Sequence, residues 1–232
     1  MSKAKMDAAG DQALFARIRQ SLFTAVVGDI LDTLGYRHQF LPPEIGPLQP
    51  GMKLIGRAMP VVEADIPGEE AREGAPVEKP FGLMFAALDD LREGEIYVAT
   101  GASLRYALWG GLMSTRALHL KAAGALLDGF VRDAGDIEAL GFQVFSRGIY
   151  AQDQAPRGRV LDYRCPVEIS GIRIAPGDLI FGDREGVLVI PREAEEEAIE
   201  LAIRKAETEN RVAVAIRGGM SATEAFTTFG VM

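Results

Sequence analysis

The sequence predicts an α/β fold, a sheet flanked by N- and C-terminal helices, and three features predict it. Between residues 95 and 147, strand-like and helix-like runs alternate. From residue 166 to 191, β-type runs follow one another with only short turn elements between them. Helical segments with an apolar stripe occupy both ends of the chain. Alternation of this kind packs helices on a sheet, and ligands then bind beyond the C-terminal ends of its strands.

Residues 11–35 read as two helices. Phe15, Ile18 and Leu22 recur at helical spacing. Thr24 is a candidate cap for a second helix, TAVVGDILDTLG, which Gly35 ends. The following HQFLPPEIGPLQPG is too rich in Pro and Gly for a helix and forms an ordered connection. A core of residues 53–190 begins with LIGRAMPVVEA, short, apolar and β-prone. Residues 65–80 are polar and punctuated by Pro and Gly, an expected exposed loop. FGLMFAALDDLREG is a short helix closing in a turn.

Next come the strand EIYVATG, the glycine-opened helix WGGLMSTRALHLKAAG and the buried strand ALLDG. DAGDIEALG is a short helix and QVFSRG a further strand. PVEISGIRIAPGDLIFGDREGVLVIP is a run of strands, antiparallel where SG, APGD and GDREG make tight turns. Residues 191–232 are helical, led by a long charged helix for which Pro191 and the acidic PREAEEE suit an N-terminus. Residues 1–232 are expected to form one domain without internal repeats.

Composition narrows the function. The 232 residues are 48% hydrophobic and 25% charged, an ordinary globular balance, with a formal net charge of -8. An acidic chain without a basic block of four residues is a poor partner for nucleic acid. The acidity does not repel small anions from a cleft that holds an arginine or a metal. The single cysteine, Cys165, precludes an internal disulfide or zinc knuckle and suits a reducing cytoplasm. No apolar run is long enough to span a membrane, and the N-terminus lacks the apolar stretch of a signal peptide.

Familiar catalytic motifs are missing. His38 and His119 are far apart, and no HExxH, Walker A or GxGxxG pattern occurs. Two other segments carry chemistry. Gly110, Gly111, Leu112 and Met113 open the helix after EIYVATG. Paired glycines admit a close ligand and a helix tip offers free N–H groups to a carboxylate; a tight turn against the sheet explains them equally. Asp128-Gly129-Phe130-Val131-Arg132-Asp133 follows ALLDG. Arg132 offers a planar fork to an anion or a developing enolate oxygen, and Asp133 a hard oxygen donor suited to magnesium or manganese. A helix start with Asp133 as cap is the plainer alternative. About twenty residues separate the segments, one helix plus one strand, which brings both to the same sheet edge.

At these residues the chain resembles the family of 4-hydroxy-4-methyl-2-oxoglutarate aldolases, 4-carboxy-4-hydroxy-2-oxoadipate aldolases and RraA (regulator of ribonuclease activity A) proteins. Some members have been labelled dimethylmenaquinone methyltransferase-like. The resemblance starts at TAVVGDILDTLG and PPEIGPL and continues through GRAMPV. It then runs from WGGLMSTRALHLKAAGALLDGFVRDAGDIEALGFQVFSRG to PGDLIFGDREGVLVIPREA. The DG-x-VRD and PGD-x-x-x-x-D-x-x-GV-x-x-P stretches are its specific parts.

The resemblance implies a compact β/β/α fold, similar to phosphohistidine-type swivelling domains, assembled as homotrimers or homohexamers with the site near a subunit interface. It implies a cytoplasmic, divalent-metal-dependent (Mg2+ or Mn2+) lyase that releases pyruvate from a 4-hydroxy-2-oxo acid and also decarboxylates oxaloacetate. Arg132 would be the catalytic, substrate-binding arginine and Asp133 the metal ligand. Gly110, Gly111, Leu112 and Met113 would bind the substrate carboxylate through backbone N–H groups. Many such aldolases carry an acidic residue just after the first glycine of the loop, where this chain has Gly111. Asp128, Asp183, Glu185 and Glu207 are the carboxylates that the sequence offers in its place. The alternatives are a non-catalytic RraA-type ribonuclease regulator, against which the retained Asp133 speaks, and a lyase or hydrolase for sugar-derived 2-oxo acids.

Overall fold

The computed structural model describes residues 3–66 and 81–231. Two helices open the chain, α1 (Lys3–Ser21) and α2 (Thr24–Thr33). Gly35 ends α2 in a left-handed turn (φ 92°), as expected. Thr24 does not cap α2. Phe23 occupies the cap position without a side-chain bond, while the Thr24 N–H and hydroxyl both donate to the Asp183 carboxylate, at 2.8 and 2.7 Å. A remote acid therefore does the work that local capping would have done.

The Pro/Gly-rich connection holds the two-residue strand β1 (Gly46–Pro47). β2 (Leu54–Asp65) is the longest strand and the hub of the sheet. The loop expected at 65–80 lies almost wholly outside the described residues. α3 (Met84–Asp89), β3 (Glu95–Thr100), β4 (Ala107–Trp109), α4 (Gly111–His119) and β5 (Gly124–Leu127) follow, then β6 (Phe130–Val131), α5 (Ala134–Leu140), β7 (Val144–Ser146) and β8 (Gly148–Ile149). The last third holds β9 (Gly158–Tyr163), the hairpin β10–β11 (Val167–Ile169, Ile172–Ile174) and the hairpin β12–β13 (Leu179–Asp183, Gly186–Ile190). α6 (Glu195–Arg217) and α7 (Ala222–Phe229) close the chain. α6 starts four residues after Pro191, and Glu195, Glu196 and Glu197 form its acidic first turn.

The main sheet has the order β1-β7-β5-β3-β2-β12-β13, and β9 also pairs with β2. β2, β3, β5 and β7 run parallel; β12 and β9 are antiparallel to β2 and share its other edge, one along each half. Parallel strands buried on both faces read as continuous apolar runs, and β3 and β5 do so. Tyr97, Ala99, Ala125 and Leu127 face a core shared with α3, α4 and α5. Ile96, Val98 and Leu126 face the opposite core, which the β10–β11 hairpin covers. α1, α2 and α6 pack on β12 and β13 through Ile18, Leu31, Phe181, Leu188 and Ile199. The expected α/β fold with flanking helices is therefore what forms.

A second, three-stranded parallel sheet, β4-β6-β8, positions the site. Its strands of two or three residues carry no period to read, and sequence patterning missed them.

Candidate functional site

The two glycine- and arginine-bearing segments meet because β4 and β6 are parallel neighbours, pairing Ala107 with Phe130 and Trp109 with Val131. The chain leaves both strands at the same edge, into Gly110 after β4 and into Arg132 and Asp133 after β6. The site thus lies beyond the C-terminal end of β6, not of β5 as the ALLDG run suggested. The Arg132 N–H donates to the Trp109 carbonyl at 3.0 Å. Trp109 Nε1 donates to Ser114 Oγ (2.7 Å), which donates to the Gly110 carbonyl (3.1 Å), fixing the first turn of α4.

Asp133 stands at the cap position of α5 in a left-handed conformation (φ 57°), and its side chain makes no capping bond there. Its Oδ2 instead accepts the Gly111 N–H at 3.0 Å, and Arg132 Nε lies 3.8 Å from the same oxygen. Gly110 is extended (φ -157°), a conformation open to any residue. Space favours glycine, because a Cβ there would lie 2.8 Å from Asp133 Oδ2 and push that carboxylate off the Gly111 N–H. Gly111 is tight as well, with a Cβ position 3.3 Å from Asp133 Cβ and 3.6 Å from Asp136 Oδ2.

A cavity of about 220 Å³ opens at this point. Gly110, Leu112, Met113, Arg132 and Asp133, five of the residues singled out from sequence, line it; Gly111 is buried behind them. β4 forms its floor, and Phe81 with Met84 and Phe85 of α3 form an apolar wall. Asp153 and Gln154 supply a further side. Asp153 Oδ1 lies 3.0 Å from Arg132 Nη1. The Gln154 amide donates to Glu63, whose other carboxylate oxygen has no partner among the described residues. Burial pushes the Glu63 carboxyl up to about 8, with the Gln154 hydrogen bond opposing, and burial beside Glu63 also raises the Tyr97 hydroxyl.

The carboxylates proposed to stand in for an acid at position 111 do not line the cavity. Asp128 bonds Thr100 and Arg147 at the end of β5, Asp183 holds the start of α2, Glu185 follows β12, and Glu207 lies on α6. Asp136 and Asp153 are the acids near the site. Sequence reasoning missed them because a lone acid on a short helix or loop carries no motif; only Asp136, three residues after Asp133, sat close enough to be noticed.

Among the described residues, no group of three or more His, Cys, Asp or Glu side chains forms a closed metal cage. The donor set fits a different kind of site. Magnesium and manganese accept one or two carboxylates and retain water or substrate oxygens. Asp133 Oδ1 has no hydrogen-bond partner among the described residues, and Asp136 stands one helical turn away.

Fold and site together define a class, the small α/β proteins with an Arg-Asp pair facing a glycine-opened helix. A family model described as RraA-like, Aldolase/RraA, matches residues 24–189, and the chain belongs to that family. A Halalkalibacterium halodurans protein, provisionally named 4-hydroxy-4-methyl-2-oxoglutarate aldolase, is 30% identical over 209 residues, covering 88% of this chain and 86% of that one. Protein DlpA of Legionella pneumophila is 31% identical over 206 residues, covering 87% of this chain but 31% of its own length. The chain therefore spans about a third of that relative. The crystal structure of Streptomyces coelicolor RraAS2, described as an unusual member of the RNase ES inhibitor RraA family, shares the fold, with a TM-score of 0.73, 22% identity and coverage of 86% and 95%. Among the described residues, no helix is long and apolar enough to cross a membrane.

Proposed function

We propose that the protein is a divalent-metal-dependent lyase that cleaves a 4-hydroxy-2-oxo acid to pyruvate and a second oxo compound. One observation carries this reading: Arg132, Asp133 and the N-terminal tip of α4 converge on one cavity. The aldolase name of the Halalkalibacterium halodurans relative supports it.

In this reading Arg132 orients the 2-oxo acid by its planar fork and faces the oxygen on which charge builds. The Leu112 and Met113 N–H groups, in the first turn of α4, have no partner inside the helix and none elsewhere among the described residues, and would meet the substrate carboxylate. The Gly111 N–H is already engaged by Asp133 and serves to hold that carboxylate in place. Asp133 would hold the cation, with Asp136 close by. A bound cation supplies Lewis-acid polarisation of the 2-oxo group. Asp153, which lines the cavity, accepts the proton of the C4 hydroxyl. The C4–O electrons form the new carbonyl, the C3–C4 bond breaks, and its electron pair becomes the C2–C3 double bond of pyruvate enolate. Protonation at C3 completes pyruvate. Oxaloacetate would lose carbon dioxide to the same enolate.

A lactate dehydrogenase-coupled assay tests the reading, run on 4-hydroxy-2-oxo acids and oxaloacetate with magnesium and with a chelator. Magnesium-dependent pyruvate release is expected, and Arg132→Ala should lower kcat/KM by about a hundredfold or more. Full activity in that variant would reject the role of Arg132. Absence of pyruvate from every acid would favour a non-catalytic, RraA-type binding protein.

A further inference from the structure

The acid that takes the C4 proton stands on irregular chain. Residues 150–157 join β8 to β9 without a helix or strand of their own, and 41% of the Asp153 side chain is exposed. A carboxylate on such a segment keeps a productive geometry only where its neighbours hold the backbone. The Ala107 N–H donates to the Gln152 carbonyl at 2.8 Å, which ties the segment to β4. Arg157 Nη1 donates to the Asp153 and Ala155 carbonyls, at 3.1 and 3.3 Å. The Gln154 amide adds a bond to Glu63, and this one runs into the interior, where Gln154 is 3% and Glu63 2% exposed.

Glu63 reaches that place through an irregularity of its strand. β2 and β9 shift register between Val62 and Glu63, and a bulge of this kind re-aims a side chain. Gln154 lines the cavity, whereas Glu63 stands behind it. Tyr97 of β3 and Tyr106, just ahead of β4, are the titratable groups that feel the charge of Glu63. Tyr97 packs on Trp109 of the cavity floor, with ring centroids 4.9 Å apart. Tyr106 donates to Asp65 at 2.8 Å, and Arg105 reaches the same carboxylate at 2.7 Å.

Resting on the lyase reading above, we propose that Glu63 is a positioning residue for the Asp153 base, fixing through the Gln154 side chain the segment that carries it. Glu63 itself touches no substrate. Burial holds it neutral up to about pH 8, so its bond to Gln154 leaves the cavity without an added charge. Once ionised, it sets a negative charge behind a site that takes an anionic acid, and like charges oppose one another.

Two reactions separate positioning of the base from general damage. Cleavage of 4-hydroxy-4-methyl-2-oxoglutarate needs a base at the C4 hydroxyl; decarboxylation of oxaloacetate reaches the same enolate without one. Glu63→Leu replaces the buried acid by an apolar side chain of similar size and removes the acceptor for Gln154. It should lower kcat for cleavage by about tenfold or more. KM, and kcat for decarboxylation, should stay within about twofold. Glu63→Gln keeps an acceptor and cannot ionise, and should restore cleavage to within about threefold at pH 7. Wild-type kcat/KM for cleavage should fall as pH rises through about 8, a limb that Glu63→Gln lacks. Equal loss of both reactions in Glu63→Leu, or no loss of either, overturns the proposal. If Glu63→Leu does not fold, the pH profiles decide: the same alkaline limb in wild type and Glu63→Gln overturns it. A wild type that releases pyruvate from neither acid overturns the lyase reading and this inference with it.

Discussion

Asp133 holds a left-handed backbone (φ 57°) while its carboxylate receives the Gly111 N–H. A non-glycine residue in that region costs about 1–2 kcal/mol, and such strain persists where the surroundings enforce it, often at functional sites. Asn tolerates the same conformation and keeps an oxygen for Gly111, but it lacks the charge a cation needs. Asp133→Asn should therefore match or exceed the wild-type Tm while metal-dependent pyruvate release falls by about a hundredfold or more; calorimetric titration with Mn2+ checks the loss of binding separately from turnover. Glu63 gives a pH signature. Its folded-state value of about 8 lies above the ordinary 4.5, so its contribution is complete below pH 4.5 and is lost as pH rises through 8. Glu63→Gln, neutral throughout, should lose less Tm than the wild type across that window; parallel Tm curves would show that Glu63 ionises without penalty. Arg132, Asp133 and the 110–113 run were legible because each lies in a contiguous motif. Asp153, Gln154 and Phe81 were not, because only the three-dimensional meeting of a loop, a turn and two short strands gives them meaning.

At the level of elements, one buried ion triad joins three pieces of the fold. Arg57 on β2, with 10% of its side chain exposed, reaches Asp11 of α1 through Nε (3.0 Å) and Glu195 of α6 through Nη2 (2.9 Å). Removing the cation strands two carboxylates, and breaking a buried pair costs about 3–5 kcal/mol. Both acids keep some access to water (26% and 14%), which places Arg57→Ala near the lower end, about 3 kcal/mol. That corresponds to a drop in Tm of roughly 6–12 °C, measurable by calorimetry. A loss under a degree would show that α1 and α6 dock by apolar packing alone. β2 and β3 could be read as apolar, β-prone runs, α4 from its paired opening glycines and α6 from its proline-led acidic start. The failures have local causes: Asp183 replaces Thr24 as the anchor of α2, and β4, β6 and β8 owe their existence to one another.

For the whole molecule, the homotrimer or homohexamer implied by the family resemblance is our proposal. Leu112, Ile149 and Tyr150 support it, being 86%, 61% and 45% exposed on the site edge, where an apolar side chain gains from a partner. Light scattering should return three or six times the 25.0 kDa chain mass, and Ile149→Asp should lower it. A monomer at micromolar concentration in the wild type would refute the assembly. The α/β class was legible at this scale because alternating strands and helices, and a hairpin-rich last third, each leave a pattern many residues long. The edge shared by β12 and β9 on β2 leaves none.

The empty place where a methyl group at residue 110 would otherwise point is defined by an oxygen of residue 133, not by backbone handedness. Two positions remote in the chain are thereby bound into one inherited unit. A side chain at the first displaces the carboxylate at the second from its place beside Gly111, so glycine there preserves that carboxylate's position. In descendants of this fold the pair should be kept together or relinquished together, and a lineage that has exchanged the acid for something shorter is released to grow a side chain at the helix tip.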